Sequence, residues 1–327
     1  MCEYTSCHWI QHGVSFENDH IEMCCLRCHK GGGGLVLKEN YSGKGVNLND
    51  IFNLKEKFIL ENKNGIINPA CEGCFNLVKK DWENKENYIN YLHFNHWTKC
   101  NSDCIYCYTS WDKAAYQKRK NYKVLPVIKE LLNRKLFKPG GEVTFAGGEP
   151  TILAEFDDLV KLLLKNGADR ITVHSSGIKY SKAIEKGIKE QKLSVCLSAD
   201  AGTKEMYKRV KRVDKFEKFW ENVKKYAKFQ KSSKDKTNVE TKYILIPNVN
   251  TQKEEIDKWL ELSINSGIQT VVADIENDFC KEVRKGNILK TQYIIDLCAY
   301  ISQRTKSLGL NLIEYNNFRY LHAENDF

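Results

Sequence analysis

The sequence predicts an α/β fold made of βαβ units, preceded by a small cysteine-rich module. From about residue 91 onward, short β-rich runs alternate with longer amphipathic stretches, several of which end at a glycine. The first 85 or so residues show no such alternation and hold seven of the thirteen cysteines. We therefore divide the chain into a cysteine-rich module over residues 1–87 and an α/β domain over residues 88–327.

Seven segments of the α/β domain have the composition of strands. They are residues 90–97, 142–147, 171–175, 193–200, 240–246, 269–276 and 310–315. Helical patterns lie between them, and the clearest cover residues 125–136, 155–167, 253–267 and 292–309. The repeating order of strand, loop and helix favours parallel strands joined by crossover helices.

Composition limits the compartment and the partners. Hydrophobic residues make up 42% and charged residues 28% of the chain, and no apolar run approaches the ~18 residues of a membrane helix. The N-terminal segment has neither a basic leader nor a continuous apolar stretch, so we expect a cytoplasmic protein without a membrane partner. The net charge of +9 comes from lysines scattered along helices, which is typical of solvated faces, so we do not expect nucleic acid as a partner.

Three cysteines in one loop after the first predicted strand are candidate metal ligands. Cys100, Cys104 and Cys107 are separated by three and then two residues. In a reducing compartment, clustered thiols are more often metal ligands than disulfides, and three ligands leave one coordination position open for a substrate or cofactor. Spacing alone leaves two alternatives, a zinc loop that takes His93 or His96 as its fourth ligand and a set of buried thiols.

The pattern C-x3-C-x2-C, with the aromatic Tyr106 before the third cysteine, resembles the signature of the radical S-adenosylmethionine superfamily. The resemblance covers roughly residues 88–315 and implies a partial (β/α)6 TIM-like barrel with the loop after its first strand. It also implies that Cys100, Cys104 and Cys107 bind a [4Fe-4S] cluster and that S-adenosylmethionine is a cofactor.

Segments after the later strands resemble further cofactor-binding positions of this family. Ala146–Pro150 resembles the GGEP motif, in which backbone and carboxylate hold the methionine amino group through charge-assisted hydrogen bonds. The third, fourth and fifth strands end in serines or asparagines. They resemble family segments that contact the ribose, the methionine carboxylate and the adenosine of the cofactor. The predicted cofactor-binding residues are Tyr106, Gly147, Gly148, Glu149, Pro150, Ser175, Ser176, Ser198 and Asn248. Turn or helix-cap roles are the alternatives for the serines and the asparagine.

The N-terminal cysteines are predicted to bind a second metal centre. A cysteine followed by His-Trp, a Cys-Cys pair and a final C-x2-C resemble the SPASM and twitch modules that carry auxiliary iron–sulfur clusters, although those modules usually follow the barrel. The predicted ligands of an auxiliary [4Fe-4S] cluster are Cys7, Cys24, Cys71 and Cys74. Possible substitutes are Cys2, Cys25 and Cys28. Zinc is the principal alternative, since C-x2-C pairs are its usual ligands.

The resemblance implies the type of reaction. An electron cleaves S-adenosylmethionine to methionine and a 5′-deoxyadenosyl radical, which abstracts a hydrogen atom from the substrate. We expect a flavodoxin- or ferredoxin-type electron donor and a small-molecule or peptide substrate, which is oxidised with help from the auxiliary cluster. An epimerase is one alternative, with Cys280 as a hydrogen-atom donor in a loop beyond the sixth strand. A zinc-stabilised binding protein is the alternative from another class.

Overall fold

The computed structural model describes residues 5–18, 20–24, 36–37, 47–67, 71, 74, 76–79, 82, 87–107, 122–230, 239–285, 292–315 and 317–318. These residues form a mostly parallel α/β architecture of the open partial-barrel type, which confirms the predicted fold class. The chain divides into two compact units, residues 1–99 with 114–172 and residues 100–113 with 173–327. The predicted domain boundary between residues 87 and 88 is based on the distribution of the cysteines, and it stays a prediction.

The described residues contain twelve strands. In chain order, β1 to β12 are Thr5–Ser6, Gly13–Phe16, Ile21–Glu22, Val36–Leu37, Val78–Lys79, Ile89–Phe94, Phe137–Phe145, Arg170–Ser175, Leu193–Ser198, Val239–Leu245, Thr270–Ile275 and Asn311–Glu314. All seven predicted strands are present, as β6 to β12.

The same residues contain ten α-helices. In chain order, α1 to α10 are His8–His12, Leu48–Lys63, Leu125–Asn133, Phe156–Lys165, Lys182–Lys189, Lys204–Lys211, Phe216–Ala227, Lys253–Asn265, Asn277–Arg284 and Gln292–Ser307. The four clearest predicted helices are α3, α4, α8 and α10. None of the described helices combines the length and the hydropathy of a membrane-spanning helix.

In the first unit, the neighbouring strands are β4, β3, β2, β6 and β7, in that order. β2 pairs in parallel with β6, and β6 pairs in parallel with β7. The rings of Phe16, Phe94 and Phe145 stack across these three strands, with centroid separations of 5.3 and 4.7 Å. β2 therefore pairs with the strands of the α/β domain, although the sequence before residue 88 shows no βα alternation. β2 escaped the sequence pattern because its four residues are all buried and show no alternation.

In the second unit, β9, β10, β11 and β12 are parallel neighbours in chain order. Along β10, Thr241 and Tyr243 are buried, and the Thr241 hydroxyl accepts a hydrogen bond from the Trp259 ring of α8 at 3.2 Å. Successive side chains of a strand point to opposite faces, so Glu240 and Lys242 lie on the face turned away from α8. Two charged residues of β10 therefore lie on that face of the sheet.

Candidate functional site

The three cysteines predicted to bind the radical cluster lie in one loop of the second unit. The sulfur of Cys100 lies 3.3 Å from the Ser102 hydroxyl, and the sulfur of Cys104 lies 3.6 Å from the same hydroxyl. The amide of Cys107 donates to the carbonyl of Cys104 at 3.1 Å and closes a turn. Cys104 is buried, Cys107 is half-buried and Cys100 is exposed, so the loop combines one anchored thiol with two accessible ones.

A buried ion pair supports this loop. Lys211, the last residue of α6, contacts the carboxylate of Asp200, and their side chains are 1% and 0% exposed. The Tyr106 hydroxyl donates to Asp200 Oδ2 at 2.6 Å and accepts from Lys211 Nζ at 3.1 Å. The amide of Asp103 donates to the Lys211 carbonyl at 3.0 Å. Backbone and side chain of Lys211 thus both attach to the loop.

The charges of this group follow from its surroundings. Burial acts to lower the pKa of Lys211, but Asp200 and Cys104 outweigh it and raise that pKa above its ordinary value. Burial raises the pKa of Tyr106 well above its ordinary value, and Asp200 adds to the rise, so Tyr106 stays a neutral donor. The second oxygen of Asp200 accepts from the amide of Ile244 at 2.8 Å. Asp200 therefore connects β10 with α6 and the cysteine loop.

Sequence reasoning missed Asp200 and Lys211 as site residues. Lys211 belongs to a run rich in cations, in which residue type does not tell a buried lysine from a solvated one. The available signal is helical spacing, because Lys211 follows the buried Tyr207 by four residues on the same face of α6.

The predicted GGEP segment follows β7 in the first unit. Gly147 has φ 88°, a backbone conformation that favours glycine. A Cβ atom on Gly147 would lie 2.8 Å from the carbonyl oxygen of Trp97, and the amide of Gly148 donates to that oxygen at 2.5 Å. A Cβ atom on Gly148 would overlap the carbonyl oxygen of Lys99. The chain segment after β6 thus requires both glycines, a reason that sequence analysis did not identify.

The carboxylate of Glu149 is 1% exposed and starts a short turn at Pro150. Its Oε1 accepts from the Thr151 amide at 3.0 Å and from the Thr151 hydroxyl at 2.6 Å. The contact of Glu149 with a methionine amino group stays a prediction.

A buried network lies behind the GGEP segment. A Cβ atom on Gly147 would lie 2.9 Å from Oδ1 of Asn95. The side-chain Nδ2 of Asn95 donates to Glu17 Oε2 at 2.6 Å. The Ser15 hydroxyl donates to Glu17 Oε1 at 2.6 Å, and His93 Nδ1 lies 2.7 Å from the same hydroxyl. Burial acts to raise the pKa of Glu17, but His93, Ser15 and Asn95 lower it from 4.5 to about 2.

The two histidines considered as zinc ligands lie in the first unit. His93 contacts Ser15 and Glu17, and the buried His96 has its Nε2 3.8 Å from Glu155 Oε1. Among the residues that the structure describes, no three His, Cys, Asp or Glu side chains are grouped to hold one metal ion. Ligands of an iron–sulfur cluster bind separate irons and are therefore spaced more widely than ligands of a single ion.

The predicted serines have different surroundings. Ser175 Oγ accepts from the amide of Gly177 at 3.0 Å, which is a turn-capping role. The hydroxyl of Ser176 donates to the side chain of Asn101 at 2.8 Å and so connects the end of β8 to the cysteine loop. Ser198 ends β9 and is half-buried. The structure therefore brings Ser176 to the loop, and the cofactor contacts of all three serines stay predictions.

Asn248 lies in a turn, the alternative role given for it above, and its contact with the cofactor stays a prediction, whereas Cys280 lies outside the kind of loop that was predicted for it. Asn248 is exposed in the turn after β10, with φ 63°. Cys280 lies in α9 rather than in a loop, and it is 1% exposed. The carboxylate of Glu276 accepts from the amides of Asp278 and Phe279, both at 2.8 Å, and so starts a helix where a loop was predicted.

The predicted auxiliary ligands lie near one another in the first unit. Cys24 and Cys71 pack against a buried apolar cluster that consists of Cys7, Ile10, Phe58 and Trp82. The thiols of Cys7 and Cys74 interact electrostatically, and the amide of Cys74 donates to the Cys71 carbonyl at 3.0 Å. Burial raises the pKa of Cys7. The possible substitutes lie outside the described residues; they are Cys2, Cys25 and Cys28.

A lysine from α2 is buried beside these thiols. Lys55 is 3% exposed, and its Nζ donates to the carbonyl oxygens of Ile10 at 2.5 Å and Gly13 at 2.6 Å. Burial lowers the pKa of Lys55 to about 7, against the opposite effect of Cys7 and Cys24. Sequence analysis missed this residue because α2 itself was not predicted.

Comparison with known sequences gives the family. Residues 94–260 match the family profile described as "Radical SAM superfamily". A "Probable GTP 3′,8-cyclase" of Saccharolobus islandicus is 25% identical over 173 residues, which are 53% of this chain and 52% of that protein. The chain thus spans about half the length of the curated relatives that it matches.

Comparison with solved structures gives the fold. SuiB of Streptococcus suis has a TM-score of 0.54 and 12% identity, with 86% of this chain and 59% of SuiB covered. SuiB bound to its precursor peptide SuiA has a TM-score of 0.54 and 15% identity, with 84% and 65% covered. At this identity, the likeness concerns the fold alone.

We expect Lys211→Met to lower the free energy of unfolding by about 3–5 kcal/mol, because it leaves Asp200 buried without its cation. The double variant Lys211→Met/Asp200→Asn should recover much of this loss, since it removes both charges. Urea denaturation measures the three values. Lys225→Met, which breaks the exposed pair with Glu221, is the control and should stay close to wild type. A double variant no more stable than Lys211→Met would contradict the interpretation.

The lowered pKa of Glu17 predicts a pH dependence. A carboxyl whose folded pKa is about 2 contributes stability that is present above its ordinary value of 4.5 and is lost as the pH falls towards 2. Glu17→Gln should therefore be less stable than wild type by up to about 3 kcal/mol near neutrality, and the gap should shrink in acid. Denaturation of both proteins across this pH range measures the gap. Glu254→Gln, at an exposed site, is the control, and a gap that does not change with pH would contradict the assignment.

Proposed function

Because the chain belongs to the radical SAM superfamily, we propose that it reductively cleaves S-adenosylmethionine and uses the 5′-deoxyadenosyl radical to remove a hydrogen atom from its substrate. The observation that carries this proposal is the cysteine loop on its buried support. Three thiols within eight residues, one of them anchored and two accessible, fit the three-cysteine donor set of a [4Fe-4S] cluster with one open position. When bound, this cluster supplies the electron, and S-adenosylmethionine supplies the radical.

Neighbouring residues hold the three cysteines in position and place a positive charge beside them. Lys211 places a buried positive charge that interacts with Cys104. Tyr106 and the bond between Ser176 and Asn101 restrain the loop from two sides. We propose that the predicted cofactor residues of the GGEP segment and of the strand ends hold the methionine and adenosine groups.

We propose a net oxidation as the outcome, in which the substrate radical loses a proton to solvent and passes one electron to an iron–sulfur cluster that the N-terminal cysteines would hold. The packing of Cys24 and Cys71 against the cluster that contains Cys7, and the interaction of Lys55 with Cys7 and Cys24, support such a centre. Epimerisation requires a thiol that reaches the substrate radical. Cys280 is buried in a helix, and this position favours oxidation over the epimerase alternative.

Polar side chains on β10 and β11 are proposed to bind the substrate. Lys242 lies 3.2 Å from Asp274 and 4.3 Å from the ring centre of Tyr315. In barrel enzymes, the substrate binds at the carboxyl ends of the strands, where Asp274 lies.

Two substrate classes are represented among similar proteins. The Saccharolobus islandicus relative is a probable cyclase of GTP, and SuiB has been solved with a precursor peptide. We propose a small molecule or a peptide as the substrate here, and a flavodoxin- or ferredoxin-type protein as the electron donor. The thiol-rich composition supports a reducing compartment, and we propose the cytoplasm.

The test is to prepare the protein anaerobically, reconstitute it, reduce it with dithionite and quantify 5′-deoxyadenosine. Wild type should form it, and the Cys100→Ala/Cys104→Ala/Cys107→Ala variant should not, because its cluster ligands are absent. The Cys71→Ala/Cys74→Ala variant is the matched control, which should keep the cleavage activity while losing iron. Cleavage by the triple variant would refute the proposed site.

A further inference from the structure

Lys55 is a buried lysine whose contacts are unusual for this residue type. Among the residues that the structure describes, its Nζ has two hydrogen-bond acceptors, the carbonyl oxygens of Ile10 and Gly13, and no carboxylate. Lys211, which is also buried, contacts Asp200. Buried lysines are rare unless a negative charge compensates them, because removing an ammonium from water is costly.

Two thiols are placed to supply that negative charge. Lys55 interacts electrostatically with Cys7 and Cys24, and both cysteines belong to or pack against the same buried cluster. Neutral thiols would leave the ammonium without compensation. Thiolates bound to a metal carry the negative charge that compensates the Lys55 ammonium.

The helix α2 holds Lys55 in this position. Its buried face contains Ile51, Lys55, Phe58 and Asn62, at spacings of four, three and four residues. Phe58 belongs to the apolar cluster that contains Cys7, and Asn62 accepts from the ring nitrogen of Trp82 in that cluster at 3.2 Å. The packing of α2 therefore fixes the position of the Lys55 ammonium, which is not the case for a lysine on an exposed surface.

We propose that Lys55 is the counter-charge of the metal–thiolate centre formed by Cys7, Cys24, Cys71 and Cys74. This inference rests on the auxiliary centre proposed above. The ammonium lowers the cost of burying the thiolates and so strengthens metal binding. In an iron–sulfur cluster it also raises the reduction potential, because reduction adds negative charge beside a fixed positive one.

The test compares Lys55→Gln with Lys55→Arg in the full-length Cys100→Ala/Cys104→Ala/Cys107→Ala background, which leaves only the N-terminal metal to be observed. Glutamine keeps a hydrogen-bond donor without the charge, and arginine keeps the charge. Lys57→Gln is the control, since the Lys57 side chain is 71% exposed. The measurements are iron and zinc per chain, the rate of metal loss to a chelator, and the midpoint potential from an EPR-monitored titration.

We expect Lys55→Gln to lose metal several-fold faster than the background protein and, if iron is bound, to show a more negative midpoint potential. Lys55→Arg and Lys57→Gln should resemble the background protein. Unchanged metal loss and potential in Lys55→Gln would overturn the proposal, and so would equal defects in Lys55→Gln and Lys55→Arg.

Failure of the auxiliary cluster itself would be visible separately. Zinc in place of iron in the background protein would refute the proposed iron–sulfur centre, and the rate of zinc loss would then decide the role of Lys55. A background protein that binds neither metal after reconstitution would overturn both proposals.

Discussion

The buried contact between Lys211, Asp200 and Tyr106 is the interaction on which the cysteine loop depends. The loop has no regular secondary structure, so its shape is fixed by what it contacts. Asp200 binds the amide of Ile244 on β10, Lys211 ends α6, and Tyr106 belongs to the loop itself. Buried ion pairs often contribute little net stability, whereas breaking one is costly. Such a pair therefore defines one position for the loop more than it strengthens the fold.

The N-terminal cysteine cluster of the first unit meets the same physical constraint in another way. Lys55 is buried as deeply as Lys211, but its described partners are carbonyl oxygens and thiols instead of a carboxylate. In the cysteine loop, the compensating charge is part of the protein. Beside Lys55, we infer that thiolates which bind a metal carry the compensating charge. Metal binding and the correct packing of α2 then depend on each other.

The parts of the fold that sequence predicts are those with long, regular patterns. The strands β6 to β12 have the composition of strands, and the helices α3, α4, α8 and α10 have a clear amphipathic pattern. All of them are present. β2 is too short to show a pattern, and the start of α9 depends on Glu276 as a cap. Lys55, Asp200 and Lys211 were not identified, because residue type suggests a solvated charge and only three-dimensional packing reveals a buried one. Conversely, the cysteine spacing identified the metal ligands to test, since covalent spacing within one loop is independent of the fold.

The central claim is that the cysteine loop carries a cluster with an open position for S-adenosylmethionine, distinct from any N-terminal cluster. EPR spectroscopy of the anaerobically reconstituted, dithionite-reduced protein, with and without S-adenosylmethionine, tests it most directly. We predict one signal that changes when S-adenosylmethionine is added and disappears in the triple cysteine variant, and a second signal that does neither. A fully iron-loaded protein whose spectrum is unchanged by S-adenosylmethionine would contradict the claim.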